Sequence, residues 1–231
     1  MELVIQKAQD KVKRVLRRKW LQHGLKAVSN NDNHDGLEKI YRITDPWNLD
    51  SPREHVRFEL TNREIEKRFG KVDRMLEIGC SEGLQSTYLS RLCNSLDGVE
   101  VSPTALARAK QRLPNANFYL GDLSQQPWNE EIDRYDLVVA CEVLYYVSDV
   151  KKMLQAMNRI GKACFITFFT PEAHKLSDIV DSIPGVERDW ISHANTTWLI
   201  ASWKNVRNAI TAAAGTLLIP FEYLMPAATI I

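Results

Sequence analysis

The chain predicts a doubly wound α/β fold, a seven-stranded, mostly parallel sheet with an antiparallel last strand and helical extensions at both ends. Apolar, strand-like runs alternate with helical patterns from Met75 onward, the order expected of a parallel sheet covered by crossover helices. The first of these runs, R-M-L-E-I, stops at a turn bracketed by Gly79 and Gly83 that opens onto Leu84, Tyr88 and Leu89 at helical spacing. The last two runs are joined only by His193-Ala194-Asn195-Thr196, too short for a crossover helix, so they pair antiparallel.

Taken in order, Val4, Ala8, Val12, Leu16 and Trp20 form one apolar stripe on a helix whose other faces are basic. Residues 1–28 carry a formal charge of +6 and the rest of the chain −5. A basic amphipathic helix of this kind docks its stripe on the domain or lies on an anionic membrane surface. The acidic remainder argues against nucleic acid as substrate, because phosphate recognition needs a basic surface around the site. The polar stretch S-N-N-D-N-H-D-G at 29–36 reads as a linker, which divides the chain into an extension (1–36), a catalytic body (37–203) and an apolar tail (204–231).

Ser51 and Pro52 start a helix that turns Val56, Leu60, Ile65 and Phe69 inward and is placed to cover the turn between Gly79 and Gly83. Trp47, just before it, reads from its residue type as a core anchor. The strand after the glycine turn ends in Glu100, where a carboxylate can accept hydrogen bonds from two ribose hydroxyls. Ser102-Pro103 then opens a helix to Arg112 with Ala105, Leu106 and Ala109 inward, and Asn117 to Leu120 form a third strand closed by Gly121 and Asp122. Asp122 reads by itself as a turn aspartate, with the apolar Leu123 after it. The run from Tyr135 to Cys141 is apolar throughout, as in strands buried on both faces, and it ends in E-V-L-Y-Y-V.

Asp149 caps the next helix, carrying Met153, Leu154 and Met157, and Ala163 to Phe169 make the fifth strand. A helix over Pro171 to Ile183 and strands over Val186 to Ser192 and Thr197 to Trp203 complete the body. The tail from Ala209 is nearly uncharged, but Gly215, Pro220, Glu222 and Pro226 make it a weak membrane span. It reads as packing on the body, as a contact between copies or as a peripheral membrane contact. Cys80, Cys93, Cys141 and Cys164 form no C-x-x-C pair and read as free thiols, and no metal site is expected. The charged start lacks the apolar run of a signal peptide, so the expected location is cytoplasmic.

A dinucleotide site would need G-x-G-x-x-G, and here position 81 is serine. The ordered set E-I-G-C-S-E-G, E-V-S-P-T-A-L-A-R-A, G-D-L and D-L-V-V-A-C-E-V-L-Y-Y-V resembles the Rossmann-like class I S-adenosylmethionine-dependent methyltransferases over residues 45–203. Within them, D-P-W-N-L-D, R-E-H-V-R-F and E-V-L-Y-Y-V resemble the nodulation protein S group, which N-methylates the free amine on the non-reducing glucosamine of a chitooligosaccharide. The resemblance implies a cofactor site of Glu77, Gly79, Cys80, Ser81, Gly83, Glu100, Val101, Ser102, Asp122, Leu123 and Cys141, walled by Trp47 and covered by a closing helix whose Arg57 grips the cofactor carboxylate. It also places Glu142, Tyr145 and Tyr146 at the acceptor, with Glu142 orienting the amine or taking its proton and the tyrosines meeting the sugar. The implied partner is a small-molecule or oligosaccharide acceptor. O-methylation of a polysaccharide sugar or small metabolite, and a non-catalytic cofactor-binding module, remain the alternatives.

Overall fold

The computed structural model describes residues 32–132, 134–170 and 176–205. The basic N-terminal stripe, the start of the helix expected at Pro171 and the apolar tail lie outside the described residues. The elements are α1 (His34–Tyr41), α2 (Pro52–Phe69), β1 (Val72–Ile78), α3 (Ser86–Leu89), β2 (Cys93–Glu100), α4 (Pro103–Arg112), β3 (Asn117–Leu120), β4 (Tyr135–Cys141), α5 (Val150–Ile160), β5 (Gly161–Phe169), α6 (Ser177–Asp181), β6 (Glu187–His193) and β7 (Thr196–Lys204).

The sheet runs β3-β2-β1-β4-β5-β7-β6. The first five strands pair parallel, whereas β7 is antiparallel to both neighbours. The expected β6–β7 hairpin closes through Ala194 and Asn195 at φ 48° and 59°, the two left-handed residues that match the right-handed twist of a tight hairpin. Alternate residues build cores on the two faces. Met75, Leu137, Val139 and Phe165 pack with Ile65 of α2 and Leu89 of α3. Leu76, Val138, Ala140 and Ile166 pack with Leu154, Met157 and Ile160 of α5. Strand order reverses between β1 and β4, which leaves a crevice at their C-terminal ends.

Two local features differ from the sequence reading. The stretch read as linker to position 36 already contains the start of α1, because Asn33 Oδ1 accepts the Gly36 N–H at 2.8 Å and Leu37, Ile40 and Tyr41 bury against the body. Ser51 occupies the N-cap of α2 without a side-chain capping bond, and its hydroxyl has no hydrogen-bond partner. No helix among the described residues is long and apolar enough to cross a membrane.

Candidate active site

The β1 turn is built from left-handed residues. Gly79 has φ 68°, and a Cβ there would meet Val143 Cγ2 at 2.6 Å. Its N–H and that of Cys80 both reach Val99 O on β2, at 2.8 and 3.1 Å. Ser81 adopts φ 53°, a conformation costly for a residue with a Cβ. Two bonds hold it there. Its N–H donates to Glu100 Oε2 at 2.9 Å, and its Oγ accepts the Tyr41 hydroxyl at 2.9 Å.

Glu100 is buried at the end of β2, and its other oxygen accepts the Ser102 N–H at 2.9 Å. Burial raises its pKa, while the N–H donors from Ser102 and Ser81 pull it back. A carboxylate has about four lone-pair positions, so acceptor capacity remains beyond these backbone donors toward the cleft that Glu100 lines. Glu77, buried at the end of β1, takes a bond from the Ser86 hydroxyl, and burial lifts its pKa to about 8. At the far edge, Asp122 Oδ1 accepts the Ser124 hydroxyl at 2.5 Å and the Gln125 N–H at 3.1 Å, and Leu123 is buried beside it.

A cover formed by α1, the loop to Asp50 and the start of α2 lies over this floor. Three anchors tie it down. Glu38 of α1 accepts the hydroxyls of Ser102 and Thr104 at the start of α4. Tyr41 bonds Ser81 and accepts Trp47 Nε1–H at 2.9 Å. Both oxygens of Glu82, a residue only 1% exposed, accept the Asp45 N–H at 3.0 Å, and Oε1 also takes a bond from Arg108 Nη1 at 2.5 Å. Trp47 packs its indole 5.7 Å from the Tyr146 ring, so the same side chain is a core anchor and a wall of the cleft.

The opposite end is ionic. Arg57, 2% exposed, donates Nε–H to Glu54 Oε2 at 2.6 Å and Nη1–H to Gln85 Oε1 at 3.3 Å. Burial opposes its charge, but the carboxylates of Glu142 and Glu54 outweigh that and raise its pKa. Glu142 follows β4 at φ 63°. Its Oε2 accepts the Tyr145 hydroxyl at 2.6 Å and its Oε1 the Thr167 hydroxyl at 2.9 Å. Loss of solvent raises the Glu142 pKa against the lowering effect of Arg57, and burial with the Glu142 charge pushes the Tyr145 phenol up. Cys141 is held as a neutral thiol, its pKa moved by burial to about 12.

These groups share one cleft of about 1420 Å³, lined by Trp47, Arg57, Glu77, Gly79, Cys80, Ser81, Glu100, Val101, Asp122, Leu123, Cys141, Glu142, Tyr145 and Tyr146 among others. Of the residues expected at the cofactor, Gly83 and Ser102 do not line it. A Cβ on Gly83 (φ 77°) would come 3.0 Å from Ala109 Cα, so that glycine serves the packing of α4, and the Ser102 side chain accepts the Ala105 N–H at 3.1 Å as the α4 cap. Sequence reasoning missed Glu38, Tyr41, Glu82, Gln85 and Thr167. Apart from the Tyr41–Trp47 pair, six residues apart, their partners lie 25 to 66 residues away, so no local pattern marks them. Among the described residues, no group of three or more His, Cys, Asp or Glu is placed to hold a metal.

A family model described as nodulation protein S (NodS) matches residues 29–165, more than half of the chain. The chain belongs to the nodulation protein S family. Nodulation protein S of Bradyrhizobium diazoefficiens is 32% identical over 137 residues, 58% of this chain and 64% of that protein. That of Azorhizobium caulinodans is 32% identical over 133 residues, 54% and 60% of the two chains. The match therefore spans somewhat less than two thirds of these curated relatives. The N-methyltransferase NodS from Bradyrhizobium japonicum WM9, solved in complex with S-adenosyl-L-homocysteine, superposes with a TM-score of 0.63 at 25% identity, covering 76% of this chain and 99% of that one. Family and fold are those of class I methyltransferases, whose cofactor is S-adenosylmethionine. The site fits that cofactor: the buried Glu100 carboxylate offers acceptor capacity suited to ribose hydroxyls, and Asp122, Leu123 and Arg57 line the same cleft.

Proposed function

We propose that the protein N-methylates an amine of an amino sugar in an oligosaccharide or related glycan. Glu142 carries this reading: a carboxylate with a raised pKa, held by two hydroxyls at the mouth of β4, is suited to take a proton from nitrogen. Bound S-adenosylmethionine supplies an electrophilic methyl on a sulfonium. The chain's part is to orient the amine in line with that methyl, accept its proton and exclude water. A hydroxyl acceptor would need a stronger base than this carboxylate.

The cleft supports the same conclusion. Ligand pockets commonly span about 300–1,000 Å³, so a volume of about 1420 Å³ leaves room for an acceptor beside the cofactor. Carboxylates outnumber Lys and Arg along its lining by eight to four, which favours an approaching cation over an anion. Tyr145, Tyr146, Phe169 and Trp198 give it aromatic surface against which sugar C–H faces can pack.

The test is incubation with S-adenosylmethionine and paired glycans, one bearing a free terminal amine and the other the same amine acetylated, with mass spectrometry locating the added methyl. Methylation of the free amine alone supports the proposal. A methyl on oxygen, or transfer to the acetylated glycan, supports the O-methyltransferase reading, and cofactor binding without transfer to any acceptor supports a non-catalytic module.

A further inference from the structure

Gln85 lies just after the β1 turn at the start of α3, where its carbonyl accepts the N–H groups of Tyr88 and Leu89 at 2.9 and 3.0 Å. Its side chain is 7% exposed and lines the cleft. Oε1 accepts Arg57 Nη1–H at 3.3 Å, whereas Nε2 is buried with no hydrogen-bond partner. The amide orientation is set by chemistry. A guanidinium only donates, so the oxygen must face Arg57 and the NH2 must face away from it. A buried NH2 without an acceptor destabilises the ligand-free protein, and an acceptor arriving in the cleft would satisfy it.

Arg57 is poorly placed to hold an anion alone. Its Nε is committed to Glu54, and Glu142 adds a second carboxylate whose field it feels. Arg53 is likewise committed to Glu54, at 2.8 Å, so a ligand carboxylate bound there finds both cations already engaged, and a neutral donor beside the Arg57 guanidinium supplies attraction without requiring a further charge. S-adenosylmethionine carries a single carboxylate, on its methionine end.

We propose that Gln85 is a cofactor-binding residue: its Nε2–H donors grip the methionine carboxylate of S-adenosylmethionine alongside Arg57, while its Oε1 holds the guanidinium in place. This rests on the assignment of the cleft to that cofactor, and the ligand pair in the test separates the two.

Calorimetry would measure binding of S-adenosylmethionine and of decarboxylated S-adenosylmethionine to the wild-type protein, Gln85→Leu and Gln85→Glu, with thermal melting of each. The expected result is about a tenfold loss in affinity for S-adenosylmethionine in Gln85→Leu, a larger loss in Gln85→Glu, and less than a twofold change for the decarboxylated ligand in both. Equal losses for the two ligands, or none, overturn the role given to Gln85. Should Gln85→Leu fail to fold, the ligand contrast in Gln85→Glu decides. Wild-type protein that binds neither ligand overturns the cofactor assignment, and the proposal with it.

Discussion

Ser81 sits in left-handed backbone at φ 53° because Glu100, nineteen residues away, accepts its N–H at 2.9 Å. One carboxylate therefore shapes the turn and lines the cleft, where we propose that it accepts the hydroxyls of the cofactor ribose. Replacing Glu100 by Ala is expected to weaken S-adenosylmethionine binding by about 1.5–3 kcal/mol through lost charged hydrogen bonds. It should also lower the melting temperature without ligand, since the N–H groups of Ser81 and Ser102 lose their acceptor. Calorimetry and melting on the same variant check both effects, and unchanged affinity would remove Glu100 from the site.

Glu142→Gln preserves the shape of the clamp made by Tyr145 and Thr167 but cannot take a proton. The turnover number should fall by about 10²–10⁴ while cofactor affinity stays nearly intact. Normal turnover, or a loss confined to cofactor binding, would show that Glu142 does not serve the acceptor.

Glu77 makes stability depend on pH. Its pKa is about 8 in the folded protein against an ordinary 4.5, so the native state holds a proton that the unfolded chain releases. The contribution is fully present below about 4.5 and is lost as pH rises to about 8. Glu100 and Glu142 shift in the same direction, so the measurement is a difference: melting curves of ligand-free wild type and Glu77→Gln across this range should converge at low pH and diverge toward pH 8. Parallel curves would mean that Glu77 is ionised in the folded protein.

Gly83→Ala should act on stability alone. A Cβ there is strained at φ 77° and crowds Ala109 Cα at 3.0 Å, yet the position does not line the cleft. A loss of about 1–3 kcal/mol by chemical denaturation, with Kd for cofactor unchanged, is expected. A large rise in Kd without loss of stability would return Gly83 to the site.

Much of the floor of the site was legible in the residues. Apolar runs bounded by glycine mark β1 and β4, Glu100 ends the second run, and Ser102-Pro103 announces α4, because backbone preferences and alternating burial act over a few neighbours. The antiparallel hairpin followed from a link too short for any other connection. What lies over that floor was decided only by the tertiary fold. Nothing near Glu82 in the chain indicates that it holds the Asp45 N–H, nor does Glu38 signal its bonds to Ser102 and Thr104. Trp47 reads from its residue type as a core anchor, and only the packing of Tyr41 and Tyr146 around it shows that it is also a wall of the cleft. Hydrogen bonds between distant residues need only compatible donor and acceptor types, which are common throughout the chain. Their pairing is selected when the sheet brings the strand ends to one crevice and burial makes an unpaired polar group costly.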